Sequence, residues 1–146
     1  MKTSVITVAG HICLDIIPRF PDQKSLSISE LFTPGGLVQV GPVDLSGGGV
    51  VANTGQALRI FGEEVVLMGK IGADPFGHIL NSILCRHGDH SGLIVDAQES
   101  TAYSVVISPK GVDRFFIHHP GANDSFTLSD LDMDQIAASS IFHFGY

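Results

Sequence analysis

The chain has 146 residues, of which 44% are hydrophobic and 16% charged, a composition typical of one globular domain with a sizeable core. A net charge of -7 with eight lysine and arginine residues argues against a nucleic-acid-binding surface, which needs clustered positive charge. The sequence contains no apolar run of the roughly 20 residues that span a bilayer, and two cysteines are too few for a secreted disulfide framework. We therefore predict a cytoplasmic protein that binds neither nucleic acid nor membranes.

The first 47 residues predict a buried strand and then a region outside the main sheet. Residues 4–10 form an apolar run that ends in glycine, as expected for a central strand of a parallel sheet. In residues 13–47, short apolar patches alternate with prolines and glycines, which indicates short strands and turns.

Two helices and a second buried strand are predicted next. Gly47-Gly48-Gly49 introduces the first helix, and Gly62 is expected to stop it. Its inward face is predicted at Val50, Val51, Thr54, Ala57, Leu58 and Phe61. After a strand at residues 65–69, Asp74 and Pro75 predict the N-cap and first residue of the second helix. Its buried stripe is predicted at Ile79, Leu80, Ile83 and Leu84, and its end at Gly88.

The last third of the chain predicts a hairpin, a short helix and a final strand. Residues 102–117 contain two apolar strands around a turn at residues 108–111. Ser129-Asp130 is expected to open the helix, and residues 141–144 form the strand. The alternation of strands and helices predicts an α/β fold with a small β accessory layer. Because a parallel strand is normally followed by a crossover helix, the chain is expected to be the first half of a larger domain.

Two features of the sequence are typical of a binding site for a polar ligand. The glycines at 47–49 would let a ligand approach the N-terminus of a helix, with Asn53 directed toward the same space. Asp15 follows the first strand, where open α/β sheets bind ligands, and a carboxylate that accepts two hydroxyl hydrogen bonds suits a polyol. A flexible loop before a helix and a solvated turn aspartate remain equally good interpretations on spacing alone.

Other candidate sites are weaker. His87-Gly88-Asp89-His90, His118-His119 and His11-x-Cys13 lack the spacing of a strong metal site. No G-x-S-x-G motif or cysteine–histidine pairing indicates a catalytic nucleophile. The sequence therefore predicts no bound metal and no catalytic residue within this chain.

The motifs, taken in order, resemble those of the PfkB (ribokinase-like) carbohydrate kinases, N-terminal half only, over essentially all 146 residues. The similarity begins at Gly10-His11-Ile12-Cys13-Leu14-Asp15 and Pro34-Gly35-Gly36. It continues through Gly48-Gly49-Val50-Val51-Ala52-Asn53, Gly62, Gly69-Lys70-Ile71-Gly72, Asp74-x-x-Gly77, residues 101–107 and Gly121-Ala122-Asn123. This resemblance implies an α/β, ribokinase-like parallel-sheet sandwich, incomplete here, with a β-sheet lid. Residues 1–146 would be the N-terminal part of one domain, with lid segments at approximately 13–47 and 101–119.

Three residues depart from the family's pattern. Val51 and Gly55 stand where smaller and larger residues, respectively, are usual. We expect Val51 to narrow the space beside the sugar loop and Gly55 to weaken the helix slightly. Cys13 replaces the asparagine of ribokinases, which puts ribose specificity in doubt.

The resemblance also implies roles for individual residues. Asp15 would hold sugar hydroxyls, Gly48 and Gly49 would present backbone N–H groups, and Asn53 would donate to and accept from another hydroxyl. The family's second signature, D-T-x-G-A-G-D, which supplies the catalytic base and anion hole, is absent. ATP and Mg²⁺ are therefore implied for the intact enzyme, while this chain alone is expected to be inactive and to bind neither tightly.

The sequence thus predicts the sugar-binding half of an ATP-dependent carbohydrate kinase that phosphorylates a hydroxyl of a small sugar or sugar acid. A nucleoside kinase of the same fold and a non-catalytic sugar-binding protein are the alternatives. The hairpin at residues 102–117 carries Val105, Ile107, Phe115 and Ile117, which would leave an apolar patch exposed on an isolated lid. A homodimer formed through the lid would bury that patch.

Overall fold

The computed structural model describes residues 4–22, 28–87 and 92–146. Its strands are β1 (Val5–Gly10), β2 (Cys13–Pro18), β3 (Val43–Gly48), β4 (Glu64–Gly72), β5 (Leu93–Asp96), β6 (Tyr103–Ile107), β7 (Phe115–His119) and β8 (Ile141–Gly145). Its helices are α1 (Ile28–Leu31), α2 (Gly49–Ile60), α3 (Pro75–Leu84) and α4 (Met133–Ala138), with 3₁₀ turns at Cys85–His87, Gly121–Ser125 and Leu128–Asp130.

The described strands form two four-stranded sheets. The main sheet is parallel and has the order β5-β4-β1-β8. The second sheet, called the lid sheet, has the order β3-β2-β6-β7, with a parallel β2–β6 pair between two antiparallel pairs. This arrangement confirms the predicted α/β class, and the antiparallel β6–β7 pair confirms the predicted hairpin.

The core lies between one face of the main sheet and helices α2 and α3. Alternate residues of β1 and β4 point toward these helices, because side chains alternate across a strand. The buried cluster contains Ile6, Val8, Ile12, Val51, Ala52, Val65, Leu67, Ile71, Leu80 and Leu84. Each fully buried aliphatic side chain of this kind contributes about 1.5–3 kcal/mol, so this cluster dominates the stability of the fold.

The inward face of α2 agrees with the prediction only in part. Val51 is buried in the core cluster, and Val50 and Leu58 pack against it, as predicted. Val51, Ala52 and Gly55 are buried, whereas Ala57 is exposed and Phe61 is 82% exposed. Apolar residues occupy most sides of α2, so helical periodicity alone could not identify the stripe that faces the sheet. The predicted stop is correct, because Gly62 has a φ of +89° directly after the helix.

Two residues that depart from the family's pattern, Val51 and Gly55, are both buried. Val51 is fully buried in the core, and the expected narrowing beside the sugar loop stays a prediction. Gly55 is needed for packing, because a Cβ atom there would overlap Cδ2 of Leu67 on β4. Glycine at this position lowers the helix propensity of α2, but it allows α2 to pack closely against the sheet.

The start of α4 and two further elements also differ from the prediction. Helix α4 begins after Asp132, whose side chain accepts from the Gln135 N–H at 2.9 Å, and not at Ser129. The earlier signal belongs to the separate turn Leu128–Asp130, which has its own capping box. Strand β5 and helix α1 were not predicted, and the proposed stop at Gly88 lies outside the described residues.

Asp74 ties α3 to the strand of the lid sheet that follows it. Its carboxylate accepts from the Gly77 N–H at 2.8 Å, the Thr101 N–H at 2.8 Å and the Thr101 hydroxyl at 2.7 Å. Burial alone would raise the pKa of Asp74, but the hydrogen bonds from Thr101 and Gly77 together hold it below its ordinary value. The predicted N-cap is thus confirmed, and it also fixes the start of β6.

No helix in the described part of the chain is long and apolar enough to cross a bilayer.

We predict that Gly77→Ala destabilises the protein although alanine favours helices by about 1 kcal/mol over glycine. A Cβ atom at Gly77 would overlap the carbonyl oxygen of Gly72 and lie 2.8 Å from the Thr101 hydroxyl. Overpacking of this kind costs about 1–3 kcal/mol, so urea denaturation should give a lower free energy of unfolding. His78→Ala, at the next and exposed position of α3, is the control and should change it by less than about 0.5 kcal/mol. An increase in stability for Gly77→Ala would contradict this packing.

Candidate functional site

Asp15 lies where the chain passes from the main sheet to the lid sheet. It is the third residue of β2, just beyond the carboxyl end of β1, and it is half-buried. In the lid sheet, Asp15 is paired with Ser46 of β3 and Ser104 of β6. Its side chain therefore shares one face of the lid sheet with those two residues.

Gly48 and Gly49 bring the N-terminus of α2 against this corner. Gly48 ends β3, and a Cβ atom there would lie 2.5 Å from Oδ2 of Asp15. Gly49 starts α2 with a φ of +79°, and a Cβ atom there would lie 2.6 Å from Nδ1 of His11. Only glycine allows both the backbone conformation and the approach. The Asp15 carboxylate and the N-terminus of α2 are therefore adjacent.

The first turn of α2 is also held by the corner itself. The Val51 N–H donates to the His11 carbonyl oxygen at 3.1 Å. Gly48, in the N-cap position, is extended and has no side chain that could cap the helix. The positive end of the helix dipole thus lies beside the Asp15 carboxylate, an arrangement that suits a ligand with several hydroxyl groups.

Asn53 is an exposed residue of α2, one helical turn from Gly49 on the same stripe. Within the described part of the chain, no hydrogen bond connects its amide to Asp15 or to the glycines. The structure therefore brings Gly48 into contact with Asp15 and Gly49 into contact with His11, and it places Asn53 one turn farther along α2.

Three side chains that the sequence analysis did not assign to this site continue from Asp15 as a polar group, in which Cys13 and Ser104 are buried. The Cys13 thiol donates to Oδ1 of Asp15 at 3.5 Å and lies 3.8 Å from the Ser104 hydroxyl. That hydroxyl lies 2.9 Å from Nδ1 of His118. Ser104 and His118 face each other across the β6–β7 hairpin. Their connection to Asp15 depends on the β2–β6 pairing, which a local sequence pattern does not indicate.

Cys13 is a hydrogen-bonding group here and not a nucleophile. Burial, together with the charge of Asp15, raises the pKa of its thiol to about 12. The thiol therefore stays protonated at neutral pH. Cys85, in contrast, is exposed.

His11 completes the site on the side of the main sheet. Its ring centroid lies 5.4 Å from that of His118 and 5.7 Å from that of Tyr146. Burial and the neighbouring His118 lower the pKa of His11, and the charge of Asp15 opposes them. At neutral pH this edge of the site is therefore formed by an uncharged imidazole.

The histidines do not assemble a metal centre in the described residues, where no group of three histidine, cysteine or carboxylate side chains is placed to hold a metal ion. His118 and His119 point to opposite faces of the lid sheet, as neighbours in a strand must. Nε2 of His119 lies 2.7 Å from the Ser100 hydroxyl. His90 lies outside the described residues.

Comparison with known proteins identifies the family. Residues 6–145 match the sequence pattern described as pfkB family carbohydrate kinase. The chain belongs to this family. The predicted family is confirmed by this match, and the ribokinase-like fold is confirmed by the similarity to solved structures.

Curated relatives include Fructokinase-2 of Oryza sativa subsp. japonica, which is 30% identical over 147 residues, covering 99% of this chain and 40% of that protein. Fructokinase-2 of Solanum lycopersicum is also 30% identical, with 99% of this chain and 41% of that protein covered. The chain therefore spans about two fifths of the length of these relatives.

A solved structure of fructokinase with bound ATP from Xylella fastidiosa has a TM-score of 0.71 and 21% identity to this pfkB family chain. The match covers 96% of this chain and 38% of that one. At this identity, the similarity establishes the fold alone.

We predict that His11 makes the stability of the folded chain sensitive to acid. Because the pKa of His11 is lower in the folded state than its ordinary value of 6.5, the unfolded chain binds a proton there first as the pH falls. The free energy of unfolding should therefore be insensitive to His11 above about pH 7 and should fall below pH 6.5. Urea denaturation at pH 7.5 and pH 5.5 should show a smaller acid-induced loss in His11→Gln than in the wild type. His78→Gln, on the exposed face of α3, is the control; equal losses in all three proteins would contradict the prediction.

Proposed function

We propose that this chain provides the sugar-binding part of an ATP-dependent, cytoplasmic carbohydrate kinase that phosphorylates a hydroxyl of a small sugar or sugar acid. Membership of the pfkB family supports the general class. The observation that carries the proposal is the contact between the Asp15 carboxylate and the Gly48–Gly49 turn at the start of α2. A carboxylate beside a helix N-terminus offers acceptors and donors to adjacent hydroxyl groups of one sugar.

In the proposed complex, Asp15 accepts hydrogen bonds from two sugar hydroxyls. Gly48 and Gly49 present backbone N–H groups, and Asn53 donates to and accepts from a further hydroxyl. These groups orient the acceptor, and none of them removes its proton. Phosphoryl transfer depends mainly on positioning and charge stabilisation, so a domain part that fixes the acceptor can be separate from the part that acts on the phosphate.

ATP and Mg²⁺ would bind outside the residues described here. The described residues include no cluster suited to a metal ion, and their buried cation, Lys70, is already within 3.6 Å of Asp96 and Asp130. A fructokinase of the same fold has been solved with bound ATP, which supports ATP as the phosphate donor. We expect this chain by itself to catalyse no phosphorylation.

The proposed function is tested by offering a panel of acceptor substrates to the full-length protein. With ATP and Mg²⁺, we expect phosphorylation of a sugar or sugar acid. Phosphorylation of nucleosides alone would identify a nucleoside kinase. Sugar binding without turnover of any acceptor would identify a non-catalytic sugar-binding protein.

We predict that, in the intact enzyme, Asp15→Ala raises the sugar KM by about a hundredfold or more and leaves the KM for ATP nearly unchanged. Each hydrogen bond to the charged carboxylate is worth about 1.5–3 kcal/mol, and about 1.4 kcal/mol corresponds to a tenfold change. Steady-state kinetics with each substrate varied in turn makes this measurement. Asp44→Ala is the matched control, because Asp44 lies on the same face of the lid sheet but pairs with Arg19. Equal damage to both KM values would show that Asp15 is structural.

We further propose that two copies pair through the lid sheet. A row of apolar residues crosses its other face, with Leu45, Ile16, Val105 and Ile117 in register. Leu45 is 41% exposed and Ile117 is 56% exposed. Ile107 is buried and Phe115 packs edge-on against Phe32, so the patch is narrower than the sequence indicated. A two-fold contact would cover this row in both copies.

We predict that Ile117→Asp converts the dimer to a monomer. A charge within a buried apolar contact is strongly unfavourable. Phe116→Asp is the matched control, because Phe116 is similarly exposed, at 51%, but points to the opposite face. Sedimentation velocity at micromolar concentration should show dimers for the wild type and for Phe116→Asp. A monomeric wild type, or a dimer that survives Ile117→Asp, would contradict the proposed interface.

A further inference from the structure

One side chain from the last third of the chain holds the corner on which the candidate site is built. Asn123 lies in the 3₁₀ turn Gly121–Ser125, and its side chain reaches Ile12. Its Oδ1 accepts from the Ile12 N–H at 3.1 Å, and its Nδ2 donates to the Ile12 carbonyl oxygen at 2.9 Å. Nδ2 also lies 3.1 Å from the carbonyl oxygen of Pro120. One amide thus satisfies both backbone groups of a fully buried residue.

Ile12 needs such a partner because it lies between the sheets. β1 ends at Gly10 and β2 begins at Cys13, and the strand pairings of both sheets leave Ile12 out. A buried backbone group without a partner is costly, and the Asn123 amide takes the place of a neighbouring strand. Nearby residues are held by backbone groups instead: the His11 N–H donates to the Gly145 carbonyl oxygen, and the Leu14 N–H donates to the Ala102 carbonyl oxygen.

The turn that carries Asn123 is itself anchored to the main sheet. The ammonium group of Lys70, on β4, donates to the Ser125 carbonyl oxygen at 3.2 Å and lies 3.4 Å from its hydroxyl. At the other end of the turn, the Ala122 N–H donates to the Ser100 carbonyl oxygen at 2.8 Å. The amide of Asn123 therefore extends from a fixed support.

We propose that Asn123 is a positioning residue that clamps the corner between β1 and β2 and thereby holds Asp15 against Gly48. Asp15 lies three residues after Ile12, the residue that Asn123 clamps. Gly49 contacts His11, the residue before Ile12. A change in the angle between the two sheets at Ile12 would move Asp15 relative to the N-terminus of α2. The effect of this clamp on sugar binding rests on the proposed function, whereas its effect on the β1–β2 corner does not.

Asparagine is the side chain that this position requires. Asn123→Asp keeps the size and the acceptor, but it faces a carboxylate oxygen toward the carbonyl groups of Ile12 and Pro120, and both donated hydrogen bonds are lost. Asn123→Ala removes all three hydrogen bonds. Asp124→Ala changes an exposed residue of the same turn and is the control.

The two cysteines provide a direct measurement of the corner. Cys13, next to Ile12, is 3% exposed, whereas Cys85 is exposed and far along the chain, so it serves as an internal standard. Iodoacetamide labelling at pH 8, followed by mass spectrometry, should modify Cys85 quickly in every variant. Asn123→Asp and Asn123→Ala should label Cys13 at least about tenfold faster than the wild type, at a rate that depends little on low urea concentrations, as local opening requires. Asp124→Ala should label like the wild type.

Labelling of Cys13 that is no faster in the variants, or that increases only with the globally unfolded fraction, would overturn the clamp. Amide hydrogen exchange tests it in the wild type without a substitution: the Ile12 N–H should be protected, and exchange as fast as in an exposed loop would also overturn it. In an active enzyme, both variants should raise the sugar KM and leave the ATP KM unchanged. Local opening with an unchanged sugar KM would overturn the positioning role. If the full-length wild type phosphorylates no acceptor, the proposed function fails, and the labelling of Cys13 and the exchange of the Ile12 N–H still test the clamp.

Discussion

The structure depends on the close approach of two turns, the β1–β2 corner and the β3–α2 turn. Gly48 lies against the Asp15 carboxylate and Gly49 against His11, at separations that leave no room for a Cβ atom. This contact joins the two sheets, because β3 belongs to the lid sheet and α2 covers the main sheet. The same contact brings a carboxylate to the positive end of a helix, so the packing of the fold and the chemistry of the site have one origin.

Hydrogen bonds and uncharged side chains surround this contact. Burial raises the pKa of Cys13 and lowers that of His11, so both side chains are neutral at physiological pH. Ser104 connects Cys13 to His118 through hydrogen-bonding distances, and Asn123 fixes Ile12 from behind. Two neighbours of Asp15, Cys13 and His11, are therefore uncharged, and neither is a cationic partner that would compete with the hydroxyl groups of a ligand for the carboxylate.

The sequence predicted the parts of this arrangement that are governed by local signals. The strand at β1, the N-cap at Asp74, the stop at Gly62 and the β6–β7 hairpin all follow from capping, turn or alternation rules. It could not identify the buried stripe of α2, because apolar residues surround that helix and tertiary packing against Leu67 selects Gly55. In the candidate site, Asp15 and the glycines could be predicted because they follow a strand and precede a helix. Ser104, His118 and Asn123 belong to the site through long-range pairings, which a local sequence pattern does not contain.

Binding of free sugars to this 146-residue chain tests the central claim most directly. Saturation-transfer NMR with D-fructose and a panel of pentoses, hexoses and sugar acids would detect binding without requiring catalysis. Our account predicts a signal for at least one of them without ATP, and its loss in Gly48→Ala, where the new Cβ atom would lie 2.5 Å from the Asp15 carboxylate. Circular dichroism would establish that the variant is folded. Binding of ATP without any sugar, or sugar binding that Gly48→Ala leaves intact, would contradict it.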